Sequence, residues 1–139
     1  MSKQLKYRVW DIARKKLEYP EMDKYHPTDE HWNHVAGYYL LNQMGLLFCN
    51  DGIMLDDWHE SFIITEFIGL KDRTGKDIYD GDIIKWNGQK KPLEVKWCDE
   101  HACFMLTKEG MARPYYFGLI DIADIKVVGN IFQNPKLLK

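Results

Sequence analysis

The sequence predicts a mainly β protein, α+β at most: a small antiparallel β-barrel over residues 62–139 behind an irregular, mixed N-terminal subdomain over residues 1–61. Two observations carry this. From residue 62 onward, short runs rich in Ile, Val, Thr, Tyr and Phe recur, each bounded by turns containing Gly or Asp. Within several of these runs apolar and charged residues alternate at period two, as in strands with one buried face.

The chain opens with Leu5-Lys6-Tyr7-Arg8-Val9-Trp10, whose alternation places Leu5, Tyr7 and Val9 on one strand face. Asp11 to Lys16 is polar and turn-like, and Leu17-Glu18-Tyr19 returns as a second strand that Pro20 ends. Thr28 or Asp29 is placed to cap a short helix through Glu30–Val35. Two readings compete from Tyr38 to Cys49. A helix from Thr28 could run on to Met44 with Gly45 as its terminator. Alternatively, Tyr38–Asn42 and Leu46–Cys49 are strands around a turn at Gln43-Met44-Gly45. Gly37 weakens the helix and the paired aromatics favour strand, so the hairpin is expected. Asn50-Asp51-Gly52 is a turn, and residues 53–61 form an irregular acidic connector.

The second region reads as strands at Phe62–Ile68, Ile78-Tyr79, Asp82–Trp86, Leu93–Trp97, Cys103–Thr107 and Tyr115–Phe117. Asp72 and Gly75 fit the ends of a type I turn. Asp80-Gly81 makes another tight turn, and Asn87-Gly88 is the strongest local hairpin signal in the chain. Leu119–Ile125 allows one helical turn. Ile125–Phe132 is the last strand, with Gly129 marking a bulge or a close backbone approach, and Asn134-Pro135 ends it.

At 139 residues the chain can bury about two-thirds of its unfolded surface, enough for a core without disulfides or metal. It is 45% hydrophobic and 29% charged, which excludes collagen, coiled coil and wholesale disorder. Its apolar runs are too short to span a bilayer and nothing reads as a secretory signal, so a soluble, cytoplasmic protein without a membrane partner is expected. The net charge is −2: residues 1–60 carry 7 basic and 10 acidic side chains, residues 61–139 carry 12 and 11. That balance lacks the basic excess typical of nucleic-acid binders. Cys49, Cys98 and Cys103, odd in number and irregularly spaced, read as reduced, partly buried thiols rather than a disulfide framework.

The stretch Gly69-Leu70-Lys71-Asp72-Arg73-Thr74-Gly75-Lys76-Asp77-Ile78-Tyr79-Asp80-Gly81-Asp82-Ile83 resembles the central signature of the YopX family of phage and prophage proteins. Two flanks agree with it: Lys6–Asp11 is similar to the family's opening strand, and Val128–Leu138 to its ending. The resemblance covers residues 5–11 and about 66–138, in collinear order. Asp80 stands where Glu is common, Phe132 replaces Tyr, and Gln133 and Lys136 replace Glu; residues 20–60 match nothing specific. The resemblance implies an SH3-like β-barrel with an added mixed subdomain, self-association, and a bacterial host cell. It brings no catalytic residues and no cofactor. Read by its own chemistry, the signature is a set of turns. Gly69, Gly75 and Gly81 free the backbone, Asp72, Asp80 and Asp82 bond local N–H groups, and Tyr79 with Ile83 supplies core.

Four constellations are candidates for chemistry. Cys98, His101 and Cys103, completed by Cys49 or His59, would give four zinc ligands, but they occupy one tight segment without a matching pair, so no metal is expected. His26, His31 and His34, and the acidic group Asp51, Asp56, Asp57 and Glu60, read as solvated side chains. Lys85, Lys90, Lys91 and Lys96 surround Trp86 and Trp97 and could bind a nucleic-acid strand by phosphate contact and stacking. Alternation favours both tryptophans in the core with the lysines outward. No phosphate loop, nucleophile elbow or dinucleotide fingerprint is present, so no catalytic residue and no enzyme activity are expected. The function expected is a non-catalytic interaction or self-assembly module that meets its own copies or a phage or host protein. A nucleic-acid accessory factor is the alternative, and a metal-dependent enzyme comes last.

Overall fold

The computed structural model describes residues 6–12, 14–19, 40–41, 47–48 and 62–139. The chain divides into two compact units, one of Met1–Lys6 with Thr65–Lys139 and one of Tyr7–Ile64. Regular structure among the described residues is eleven strands and three 3₁₀ turns, with no α-helix. The mainly β expectation therefore holds.

In the Tyr7–Ile64 unit, β1 (Tyr7–Asp11) pairs antiparallel with β2 (Lys16–Glu18), closing on Asp11 opposite Lys16. The Asp11 carboxylate accepts the Arg14 N–H at 3.0 Å, and Lys15 adopts a φ of 55° to complete the turn. Arg8, Val9, Trp10 and Asp11 are all buried, so residues of both faces of the strand are out of solvent. β3 (Leu40–Leu41) pairs with β4 (Leu47–Phe48), Leu40 opposite Phe48, which is the hairpin rather than the helix. The helix proposed over residues 30–35, the acidic connector, Cys49 and the three N-terminal-region histidines lie outside the described residues.

β5 (Phe62–Lys71) crosses into the other unit, where it pairs antiparallel with β6 (Asp77–Tyr79). There the Phe67 N–H donates to the Lys6 carbonyl at 2.9 Å, and the Lys6 ammonium lies 5.0 Å from the Phe67 ring centre. Five further strands follow: β7 (Asp82–Trp86), β8 (Leu93–Cys98), β9 (Cys103–Thr107), β10 (Tyr115–Tyr116) and β11 (Ile125–Asn130). They form one antiparallel sheet in the order β10-β9-β8-β7-β11, curled as a half-barrel. Four strands run as a meander and the last returns to the free side of β7. Its core is Ile78, Ile84, Leu93, Val95, Leu106, Ile120, Ile125 and Val127.

The Asn87-Gly88 signal is realised differently from a two-residue hairpin. The Gln89 N–H donates to the Trp86 carbonyl at 2.9 Å, so a turn forms there. Yet Ile84 pairs with Leu93, so the connection is longer than two residues, and Gly88 is not in the left-handed region that a type I′ turn requires. The cause is tertiary: the Asn87 N–H donates to the Asp124 carbonyl at 3.0 Å, and Lys85 and Trp86 pair with β11. Pro92, which has no N–H, sits where the ladder stops. The single helical turn expected over Leu119–Ile125 is two 3₁₀ turns, Phe117–Leu119 and Ile122–Asp124; the Asp121 carboxylate caps the second through the Ala123 N–H at 2.9 Å.

Gly129 meets both expectations placed on it. The β7–β11 register shifts between Val127 and Gly129, leaving Val128 as the extra residue of a bulge. A Cβ at Gly129 would stand 2.6 Å from the Asn134 Oδ1.

Candidate interaction surface

The signature residues are absorbed by the backbone around them. The Asp72 side chain, 4% exposed, accepts at one oxygen from the Thr74 N–H (2.8 Å), the Thr74 hydroxyl (2.6 Å) and the Lys76 N–H (3.0 Å). Its other oxygen accepts the Val127 N–H at 2.9 Å. Burial alone would raise its pKa, but these hydrogen bonds outweigh it and hold the carboxyl at about 2. Its carbonyl accepts the Gly75 N–H at 3.0 Å, closing the turn from Asp72 to Gly75. Gly75 has φ 87° with nothing near a notional Cβ, so the glycine there serves conformation alone. Gly69 and Gly81 also adopt positive φ.

The second turn follows the same logic. The Asp82 carboxylate, 2% exposed, accepts the Tyr79 N–H at 2.8 Å across Asp80 and Gly81. The Asp80 N–H donates to the Glu66 carbonyl at 2.9 Å, and Tyr79 is buried against Phe67 at 5.9 Å between ring centres. Beside these turns Asp77 lies 3.0 Å from the Lys6 ammonium and 2.9 Å from that of Lys71. Burial opposes ionisation of this carboxyl, but the two lysines prevail and lower its pKa.

The lysines are distributed by strand alternation. Lys85 and Lys126 stand directly opposite each other on β7 and β11, both exposed. Lys90 and Lys91 are exposed in the β7–β8 connection at the same end of the sheet. Lys96 lies toward the far end of β8, past Glu94, which pairs with Ile83. Among the described residues none of these lysines has an ion-pair partner. Lys126 was missed in the sequence because only the return of β11 to β7 places it beside Lys85.

The tryptophans separate. Trp86 is half-buried, packs on the core and meets Tyr115 edge-to-face at 4.9 Å. Trp97 corrects the expectation that both are core: it is 44% exposed, although it follows Val95 at period two. Its cross-strand partner at the end of β8 and β9 is Phe104, with ring centres 5.0 Å apart; Phe104 packs against the core while Trp97 stays exposed. Lys96 and Trp97, being adjacent on a strand, project to opposite faces, so they do not build one stacking platform.

A shallow groove of about 490 Å³ runs over β8 and β9, lined among others by Glu94, Lys96, Cys98, Met105 and Lys108. Cys98 and Cys103 face each other across the β8–β9 hairpin as free thiols, and the His101 ring meets Tyr116 edge-on at 5.5 Å. Among the described residues no three His, Cys, Asp or Glu side chains converge on a metal position. Tyr116, Leu119 and Ile122 are exposed within seven consecutive residues, Leu119 to 84%. The sequence places Tyr116 in a strand and Leu119 and Ile122 in a helical turn, and neither assignment says which of these side chains the rest of the fold leaves uncovered. No helix among the described residues is long and apolar enough to cross a membrane.

Fold and site together define a small antiparallel β protein in which the Asp72 and Asp82 carboxylates brace turns and in which, among the described residues, the most exposed large apolar side chain is Leu119, in the connection after β10. A family model described as YopX protein matches residues 6–139, and the chain belongs to the YopX family. Among solved structures, protein EF1440 from Enterococcus faecalis is similar at 22% identity and a TM-score of 0.60, over 99% of this chain and 100% of that one. Protein yopX from Bacillus subtilis is similar at 23% identity and a TM-score of 0.54, over 96% of this chain and 98% of that one. These likenesses concern the fold. No curated protein matches the chain.

Proposed function

We propose that this chain is a non-catalytic interaction module, phage- or prophage-encoded and working in the cytoplasm of a bacterial host, whose first partner is a second copy of itself. The observation that carries this reading is the exposure of Leu119 to 84% in the short β10–β11 connection, which also exposes Ile122 and follows the exposed Tyr116 at the end of β10. Exposed apolar groups close in sequence, on segments whose turns are held by backbone hydrogen bonds, are a ready contact point. The Ile120 N–H donates to the Phe117 carbonyl at 3.1 Å and the Asp124 N–H to that of Asp121 at 2.9 Å, so the display needs little ordering on binding. The signature carboxylates Asp72 and Asp82 support the non-catalytic reading, because their oxygens already serve backbone N–H groups. The β7-β8-β9-β10 meander with β11 returning to β7 supports an SH3-like description. Light scattering on a size-exclusion column tests the reading. A wild-type mass above one chain that falls to one chain in Leu119→Asp is expected; a wild-type monomer at all concentrations rejects self-association.

A second reading rests on Lys85 and Lys126. Like charges directly opposite on paired strands are unfavourable, and an anion between them would relieve the repulsion. Phosphates of a single-stranded nucleic acid would fit that end of the sheet, with Lys90 and Lys91 beside it. Binding that steepens at low salt and weakens in Lys126→Ala would favour it; salt-independent or absent binding would reject it.

A further inference from the structure

We propose that Cys98 and Cys103 form an oxidation-responsive thiol pair that glutathione disulfide converts into a disulfide across the β8–β9 hairpin. The two residues are directly opposite in the antiparallel register, following Trp97 opposite Phe104. Directly opposite residues have Cα atoms about 4.5 or 5.5 Å apart, according to the hydrogen-bonding of the pair. A disulfide accepts Cα separations of about 4.4–6.8 Å, so either kind of pair lies in range. Being opposite, the two side chains leave the same face of the sheet.

Access and compliance favour the reaction. Both thiols are free, and both residues are half-buried rather than sealed in the core. They flank the loop Asp99-Glu100-His101-Ala102, all four residues of which are exposed, with Ala102 at φ 51°. Drawing the strand ends together therefore moves an exposed loop and leaves the buried Val95 and Leu106 in place. The bridge closes a short loop, which restricts the unfolded chain little, so it serves as a reversible mark rather than a stability device. Cys98 also lines the groove over β8 and β9, so its oxidation state alters that surface.

The chemistry is two thiol–disulfide exchanges. The thiolate of one cysteine attacks a sulfur of glutathione disulfide, forming a mixed disulfide and releasing one glutathione thiolate. The second cysteine, as thiolate, attacks the protein sulfur of that mixed disulfide and releases the other glutathione. Two cysteine thiols are oxidised, one glutathione disulfide is reduced to two thiols, and the two protons pass to the departing thiolates.

Trypsin cuts after Lys96 and Lys108, so both cysteines fall in one peptide, Trp97–Lys108, which excludes Cys49. Folded protein is incubated with excess glutathione disulfide, acid-quenched, alkylated and digested. The expected product is this peptide lighter by two hydrogens, free of glutathione and of alkylation, and restored by dithiothreitol. Cys98→Ser is expected to retain glutathione on Cys103 instead. Ring closure in folded protein should be faster than in denaturant by about tenfold or more, because the register holds the thiols together. A wild-type peptide alkylated at both cysteines, a stable glutathione adduct on it, or equal closure rates folded and unfolded would overturn the proposal.

Discussion

The Asp72 carboxylate accepts the Val127 N–H at 2.9 Å, joining residues 55 positions apart. Three further hydrogen bonds to the same carboxylate, from Thr74 and Lys76, shape the turn after β5. One buried side chain thus both forms the signature turn and fastens it to β11, the strand that completes the sheet at β7.

Asp72→Ala should therefore unfold at lower denaturant, with stability reduced by roughly 3 kcal/mol, since four donors lose a charged acceptor. Equilibrium urea unfolding with an unchanged slope checks it. A loss below about 0.5 kcal/mol would mean that water replaces the carboxylate at no cost.

Acid should expose the same interaction. Asp72 is held at about 2 in the folded protein against 3.8 for the free group, so the unfolded chain binds its proton first as pH falls. A depressed pKa contributes stability that is fully present above about pH 4 and lost as pH falls toward 2. The difference corresponds to about 2 kcal/mol. Asp77, also lowered by Lys71 and Lys6, acts in the same direction. Stability measured from pH 6 down to about pH 2 should decline less steeply in Asp72→Asn than in wild type.

Gly129→Ala should destabilise by about 1–3 kcal/mol, because the new methyl would stand 2.6 Å from the Asn134 Oδ1 and 2.9 Å from its Cγ. That oxygen accepts the Asn130 N–H at 3.2 Å, so moving it breaks the bond that follows the bulge. In a double-mutant cycle with Asn134→Ala the two losses should be less than additive. Full additivity would show that the clash is not with Asn134.

The two hairpin tryptophans should differ. Trp86→Ala should cost about 3–5 kcal/mol, as for a residue packed on the core, and Trp97→Ala about 1 kcal/mol. Acrylamide quenching of single-tryptophan variants should be stronger for Trp97. Equal quenching would contradict the exposure difference.

Replacing Lys126 by Glu should raise stability by a few tenths of a kcal/mol at low ionic strength, turning a like-charged pair with Lys85 into an attractive one. Salt should erase the gain. Thermal midpoints of both proteins at two salt concentrations check it, and a salt-independent difference would point away from the pair.

What the residues determined by themselves was local. The bounds of Asp82–Trp86 and Cys103–Thr107, the turns at Asp72–Gly75 and Asp80-Gly81, and the bulge at Gly129 follow from alternation, left-handed glycines and short carboxylates that reach nearby N–H groups. These effects act over a few residues, so they are written in the sequence. Strand pairing was decided by tertiary structure. It brought Lys126 beside Lys85, diverted Asn87 to Asp124, and set Cys98 opposite Cys103. It also left Trp97, on the same face of β8 as the buried Val95, 44% exposed, while Phe104 opposite it packs against the core. Period two assigns a side chain to a face, but whether that face is covered at a given point depends on distant strands and on where the sheet stops.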